Sequence, residues 1–107
     1  MWFIFPQIKG LGRSEVARHY AISSKNEAKA YLAHPVLGPR LEQCAHLVLA
    51  IGGKSLNGIF GEPDDAKFRS CMTLFSSVAG PASVFQACLK KYCTNQPDPR
   101  TVSKLAE

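Results

Sequence analysis

Apolar positions recur at helical offsets along almost the whole chain. Val16, Ala17, Tyr20 and Ala21 fall on one face of a segment running from Ser14 to Ile22, with Gly12 ahead of it as a breaker, which predicts a first helix. Ser24-Lys25-Asn26-Glu27 has the form of a capping box: the serine hydroxyl accepts from the backbone of Glu27, whose carboxylate reaches back. It opens a short helix through Ala28, Ala30, Tyr31 and Leu32 that Pro35 ends. Pro35-Val36-Leu37-Gly38-Pro39 reads as a proline-initiated turn feeding a longer helix from Arg40 to Ile51. Leu41, Cys44, Ala45, Leu47, Val48 and Ile51 are its predicted core face, and Gly52-Gly53 its left-handed C-cap.

Ser55 to Phe60 then makes a short helix stopped by Gly61. Pro63 occupies a favoured first helical position, and Asp64-Asp65 suit a helix N-terminus. This helix runs to about Ala79 with Phe68, Cys71, Met72, Leu74, Phe75 and Val78 as its core stripe. After the Gly80-Pro81 break, Ser83 starts a helix carrying Val84, Phe85, Ala87, Cys88, Leu89 and Tyr92. Asp98-Pro99 is a cap-plus-first-turn signature for a last helix through Val102 and Leu105. Only the opening residues, with Trp2, Phe3, Ile4 and Phe5, read as extended. There is no hairpin signal, repeat or low-complexity tract. The prediction is all-α: a single compact domain over residues 1–107, of about six helices with a short extended N-terminal segment.

Composition narrows the classes. With 46% hydrophobic and 20% charged residues the chain has the make-up of a folded globular protein rather than a disordered one. No apolar run approaches the roughly 20 residues of a membrane span, and the opening segment lacks the basic n-region of a secretory leader, so a cytoplasmic location is expected. The net charge of +5 is scattered; Lys90-Lys91 is the only adjacent basic pair, and no basic cluster alternates with aromatics. Nucleic acid is therefore not the expected partner, and the positive balance favours small anionic ligands instead. Cys44, Cys71, Cys88 and Cys93 fall at no metal-ligand spacing with one another or with His19, His34 and His46. They read as free thiols in or near the core, and neither a metal nor a cofactor is expected.

Met1-Trp2-Phe3-Ile4-Phe5-Pro6-Gln7 and Gly10-Leu11-Gly12-Arg13-Ser14 resemble the largely bacterial domain-of-unknown-function family 1810. The likeness continues through residues 30–41, Ala-Tyr-Leu-Ala-His-Pro-Val-Leu-Gly-Pro-Arg-Leu, and is strongest from Ile59 to Phe75. It implies a compact all-helical fold. Typical members carry a further helix before the Trp-Phe-x-Phe-Pro-Gln segment, at which this sequence starts, so a fold without that helix is expected; they commonly have a serine at the position of Cys71. A smaller core predicts self-association as a homodimer or domain-swapped assembly. Some members carry a calpastatin-like label, which a patterned core argues against. The resemblance assigns no activity, so whether the protein is an enzyme stays open.

Candidate site residues come in three groups. Asp64, Asp65, Lys67 and Arg69 concentrate charge in the first two turns of one helix. They read either as a pocket mouth where Lys67 or Arg69 grips an anion, or as plain helix electrostatics with Asp65 and Arg69 paired at i,i+4. Trp2, Phe3 and Phe5, followed by Gln7, form an aromatic arm that is either core or a stacking surface. Arg13, after Gly10-Leu11-Gly12, stands at a predicted helix start suited to an anion. Beside the core stripe of the 63–79 helix, Ala66, Ser70, Thr73 and Ser77 form a small hydroxyl-bearing line. It is read chiefly as close packing with hydroxyls bonded back to the preceding turn. His34 before Pro35 reads as a helix cap or a satisfied core group. The leading functional expectation is a binding module for an anionic or nucleotide-like ligand. The alternatives are a metal-independent hydrolase or transferase with Asp64 or Asp65 as base, and a purely structural or protein-interaction domain.

Overall fold

The computed structural model describes residues 4–8, 11 and 21–106. Among them are six helices: α1 (Lys25–Ala33), α2 (Leu37–Leu49), α3 (Leu56–Phe60), α4 (Asp64–Ala79), α5 (Val84–Tyr92) and α6 (Pro99–Leu105). The fold is all-helical, as the periodicity predicts. Of the helix expected over 14–22, most lies outside the described residues. Its last residue, Ile22, is not helical: it forms an isolated parallel bridge with Ile8 and donates its N–H to the Gln7 carbonyl at 2.8 Å. The extended N-terminal segment is thus stitched to the approach to α1.

α4 is the axis of the molecule. α1, α3, α5 and α6 all pack on it, and α2 packs on α1 and α5. Phe68, Cys71, Met72, Leu74 and Phe75 of α4 are buried, together with Phe85, Cys88 and Leu89 of α5 and Leu41 and Ala45 of α2. Phe5 stands edge-on to Phe68 at 4.9 Å and to Phe60 at 6.3 Å, while Phe60 and Phe68 stack at 5.1 Å. This cluster closes the end of the core where α4 begins.

Several local signals hold. Ser24 accepts from the Glu27 N–H at 3.2 Å, Ser83 from Gln86 at 3.3 Å and Asp98 from Thr101 at 3.2 Å. The Glu27 carboxylate reaches one residue further back than expected, to the backbone and hydroxyl of Ser23. His34 is a cap: its Nδ1 accepts from the N–H groups of Val36 and Leu37, each at 3.1 Å.

Other expectations are corrected. α2 begins at Leu37, not Arg40, so Gly38 and Pro39 lie in its first turn, where proline is tolerated. Gly38 presses against α1, and a Cβ there would sit 2.0 Å from the Leu32 carbonyl oxygen. Leu47 is 64% exposed rather than core, because six residues from Leu41 is 240° around a helix. α2 ends at Leu49 with Ala50 in a right-handed conformation, not at a glycine cap. Its last carbonyls are satisfied by α5 instead. Lys91 Nζ donates to Leu49 and Ile51 at 2.5 and 2.7 Å, and the Tyr92 hydroxyl shares its one proton between the Val48 and Ile51 carbonyls, at 2.5 and 3.0 Å. Pro63 precedes α4 as its cap position rather than opening it.

Candidate functional site

The hydroxyl line of α4 is bonded back along the helix as expected. Ser70 donates to Ala66 O at 3.0 Å, Thr73 to Arg69 O at 2.8 Å and Ser77 to Leu74 O at 2.6 Å. Two of these hydroxyls also hold the next part of the chain. Ser70 shares its one proton between Ala66 O and Asp98 Oδ2, the latter at 2.9 Å, and Thr73 Oγ1 accepts from the Asp98 N–H at 2.8 Å. The same carboxylate oxygen accepts from the Thr101 hydroxyl at 2.6 Å. Burial pushes the Asp98 carboxyl up. The hydrogen bonds from Thr101 and Ser70, with the Arg100 charge, outweigh it and hold the group below its ordinary value.

Arg69 fastens the same segment from outside. Its Nε and Nη2 both donate to Gln96 O at 3.2 Å, and Nη2 also to Pro97 O at 3.0 Å. The i,i+4 pairing with Asp65 therefore does not form. Asp65 instead accepts from its neighbour Ala66 N at 2.8 Å and from Asn57 Nδ2 of α3 at 3.3 Å. Nη1 of Arg69 has no partner among the described residues, and no described carboxylate lies within ion-pair distance of the guanidinium.

These groups line a cleft of about 400 Å³ between the start of α4 and the connection from α5 to α6. Asp65 and Arg69 form one wall; Cys93, Thr94 and Gln96 form the other, with Asp98 at the base of that connection. Thr94 and Asn95 have positive φ, 54° and 59°. Asparagine tolerates this region, whereas a β-branched threonine is strained in it, so the rim is held in shape at a cost. Burial raises the Cys93 thiol against the opposing pull of Arg69, and the Cys88 thiol is pushed up to about 11. Neither is an activated thiolate.

Of the eight residues singled out from sequence, the cleft brings together Asp65 and Arg69. Lys67 lies two residues from Arg69, hence about 160° away around α4, and does not line it. Asp64 is half-buried in the first turn of α4 without lining the cleft. Gln7 is buried, with its backbone engaged by Ile22. Trp2, Phe3 and Arg13 lie outside the described residues. Sequence reasoning missed the far wall. In sequence Asp98 reads only as a helix cap, and Thr94-Asn95-Gln96 match no motif. No group of three or more His, Cys, Asp or Glu side chains placed to hold a metal occurs among the described residues.

The model of the DUF1810 family, proteins of unknown function, matches residues 1–105, and the chain belongs to that family. Among solved structures it is similar to the conserved hypothetical protein Rv1873 from Mycobacterium tuberculosis. The TM-score is 0.95 at 50% identity, covering 99% of this chain and 76% of that one. No curated protein matches the chain significantly. Among the described residues no helix is long and apolar enough to cross a membrane.

Proposed function

We propose that the protein is a binding module for a small ligand carrying an anionic group, with the Arg69 cleft as its site. The observation that carries this reading is the state of the guanidinium. It is oriented by neutral carbonyls, it is paired with no described carboxylate, and Nη1 is left to donate. A pre-oriented planar cation of this kind suits a phosphate or carboxylate. Asp65, fixed by Asn57 and Ala66, adds an acceptor for ligand hydroxyls, which favours a sugar phosphate or nucleotide over a bare anion. The cleft volume of about 400 Å³ is within the range of small-molecule sites. Trp2, Phe3, Gln7, Arg13, Asp64 and Lys67 play no part in this narrower reading. The homodimer and the cytoplasmic location remain proposals beside it; Val36 and Leu47, exposed by 61% and 64%, support self-association through α2.

The test is a thermal-shift panel of inorganic phosphate, sugar phosphates, nucleotides and ADP-ribose, with short RNA at two salt concentrations as a comparison, followed by calorimetry. A ligand at 100 times its Kd adds about 2.7 kcal/mol of stability, a shift of several degrees in a domain of this size. Arg69→Lys keeps the charge and loses the fork, and should weaken the responding ligand about tenfold. Lys67→Ala should leave it unchanged. A flat panel on folded protein would defeat the reading and favour a structural or protein-interaction role.

A further inference from the structure

On the other side of the same connection lies a second hollow, of about 460 Å³, between the C-terminal half of α4, α5 and α6. Its chemistry is unlike that of the Arg69 cleft. Leu89, Pro97, Val102 and Leu105 give it an apolar lining, and Val102 is 45% exposed there, a large aliphatic side chain left open in a short helix. Among the described residues Lys25, the first residue of α1, is the one charged residue lining the hollow, and no acidic side chain lines it. The Lys25 ammonium has no hydrogen-bond or ion-pair partner among the described residues.

The Ser76 and Ser77 hydroxyl protons are committed to Thr73 O and Leu74 O, and one N–H of the Gln86 amide to Asn95 Oδ1, which leaves its second N–H to donate. Among the described residues, an apolar lining, one unpaired cation and no competing carboxylate define a ligand class by charge complementarity. We infer that this hollow is a second binding site, distinct from the Arg69 cleft, for a small monoanionic acid with an apolar body. The acid group pairs with Lys25 and the hydrocarbon lies against Leu89, Val102 and Leu105.

Sodium octanoate is the probe, titrated into the full chain and followed by amide chemical-shift mapping, with neutral 1-octanol in parallel. Saturable shifts centred on Ser76, Ser77, Leu89, Val102 and Leu105 are expected. Lys25→Gln should weaken octanoate about fivefold, the worth of one solvent-exposed charge contact, and leave octanol unchanged. Val102→Glu, at an exposed position, should abolish octanoate binding by setting a carboxylate against it. Shifts centred elsewhere, an affinity that Lys25→Gln does not change, or no saturable binding would each overturn the inference. Arg69→Lys, which decides the other site, should not alter octanoate affinity, so the two readings fail separately.

Discussion

The two hollows share a wall and differ in what their cations already do. Between the start of α4 and the α5–α6 connection, the Arg69 guanidinium is tied to the carbonyls of Gln96 and Pro97, and so serves the architecture before it can serve a ligand. In the second hollow the Lys25 ammonium holds no described residue in place. One cation is half committed; the other ends a long stem with no partner among the described residues. A pre-oriented cation gains selectivity for planar or multidentate anions, while a flexible one rewards net charge and leaves selection to the apolar lining. Net charge alone, +5 here, cannot separate these roles.

Asp98 is where the comparison breaks most heavily, because both hollows depend on the segment it anchors. Asp98→Ala strands the Thr101 hydroxyl and the α6 cap in a buried setting and leaves Ser70 only its bond to Ala66 O. We expect a loss of about 3 kcal/mol or more by chemical denaturation, and loss of ligand response in both hollows. Arg69→Ala should cost less, about 1–2 kcal/mol for hydrogen bonds to a half-buried cation, and should silence the Arg69 cleft while octanoate still binds.

A smaller effect comes from pH. The folded Asp98 carboxyl titrates below its ordinary value of 3.8, so its contribution is fully present above that value and is lost as pH falls through the lower, folded one. Denaturation midpoints of the native protein should therefore fall more steeply below about pH 3.8 than those of Asp98→Asn. An equal slope would show that other carboxyls dominate. Smallest of all, Leu47→Gln, on the solvent face of α2, should change stability by no more than about 0.5 kcal/mol. Light scattering on the same variant separates the homodimer proposal from a monomer.

Helix order was legible because its causes are local. Ser24, Ser83 and Asp98 act within three residues of themselves, and the buried stripe of α4 repeats with the helix. The end of α2 was not legible, since its terminus is set by Lys91 and Tyr92, some forty residues away, and the glycines that look like a cap are bypassed. The cleft was half legible for a similar reason. Asp65 and Arg69 stand out as a charged turn, but their partners come from α3 and from the 93–98 connection. Spacing along one helix suggested Asp65 for Arg69; the fold supplied two carbonyls instead.

The far-reaching cap of α2 also has a meaning in time. During synthesis the last turn of α2 exists well before Lys91 and Tyr92 do, so for that interval its carbonyls have only water to bind. An isolated helix of 13 residues is marginal in water. α2 therefore becomes a finished helix only when α5 has arrived and docked. The last turn of α2 is thus completed by a contact some forty residues further along the chain.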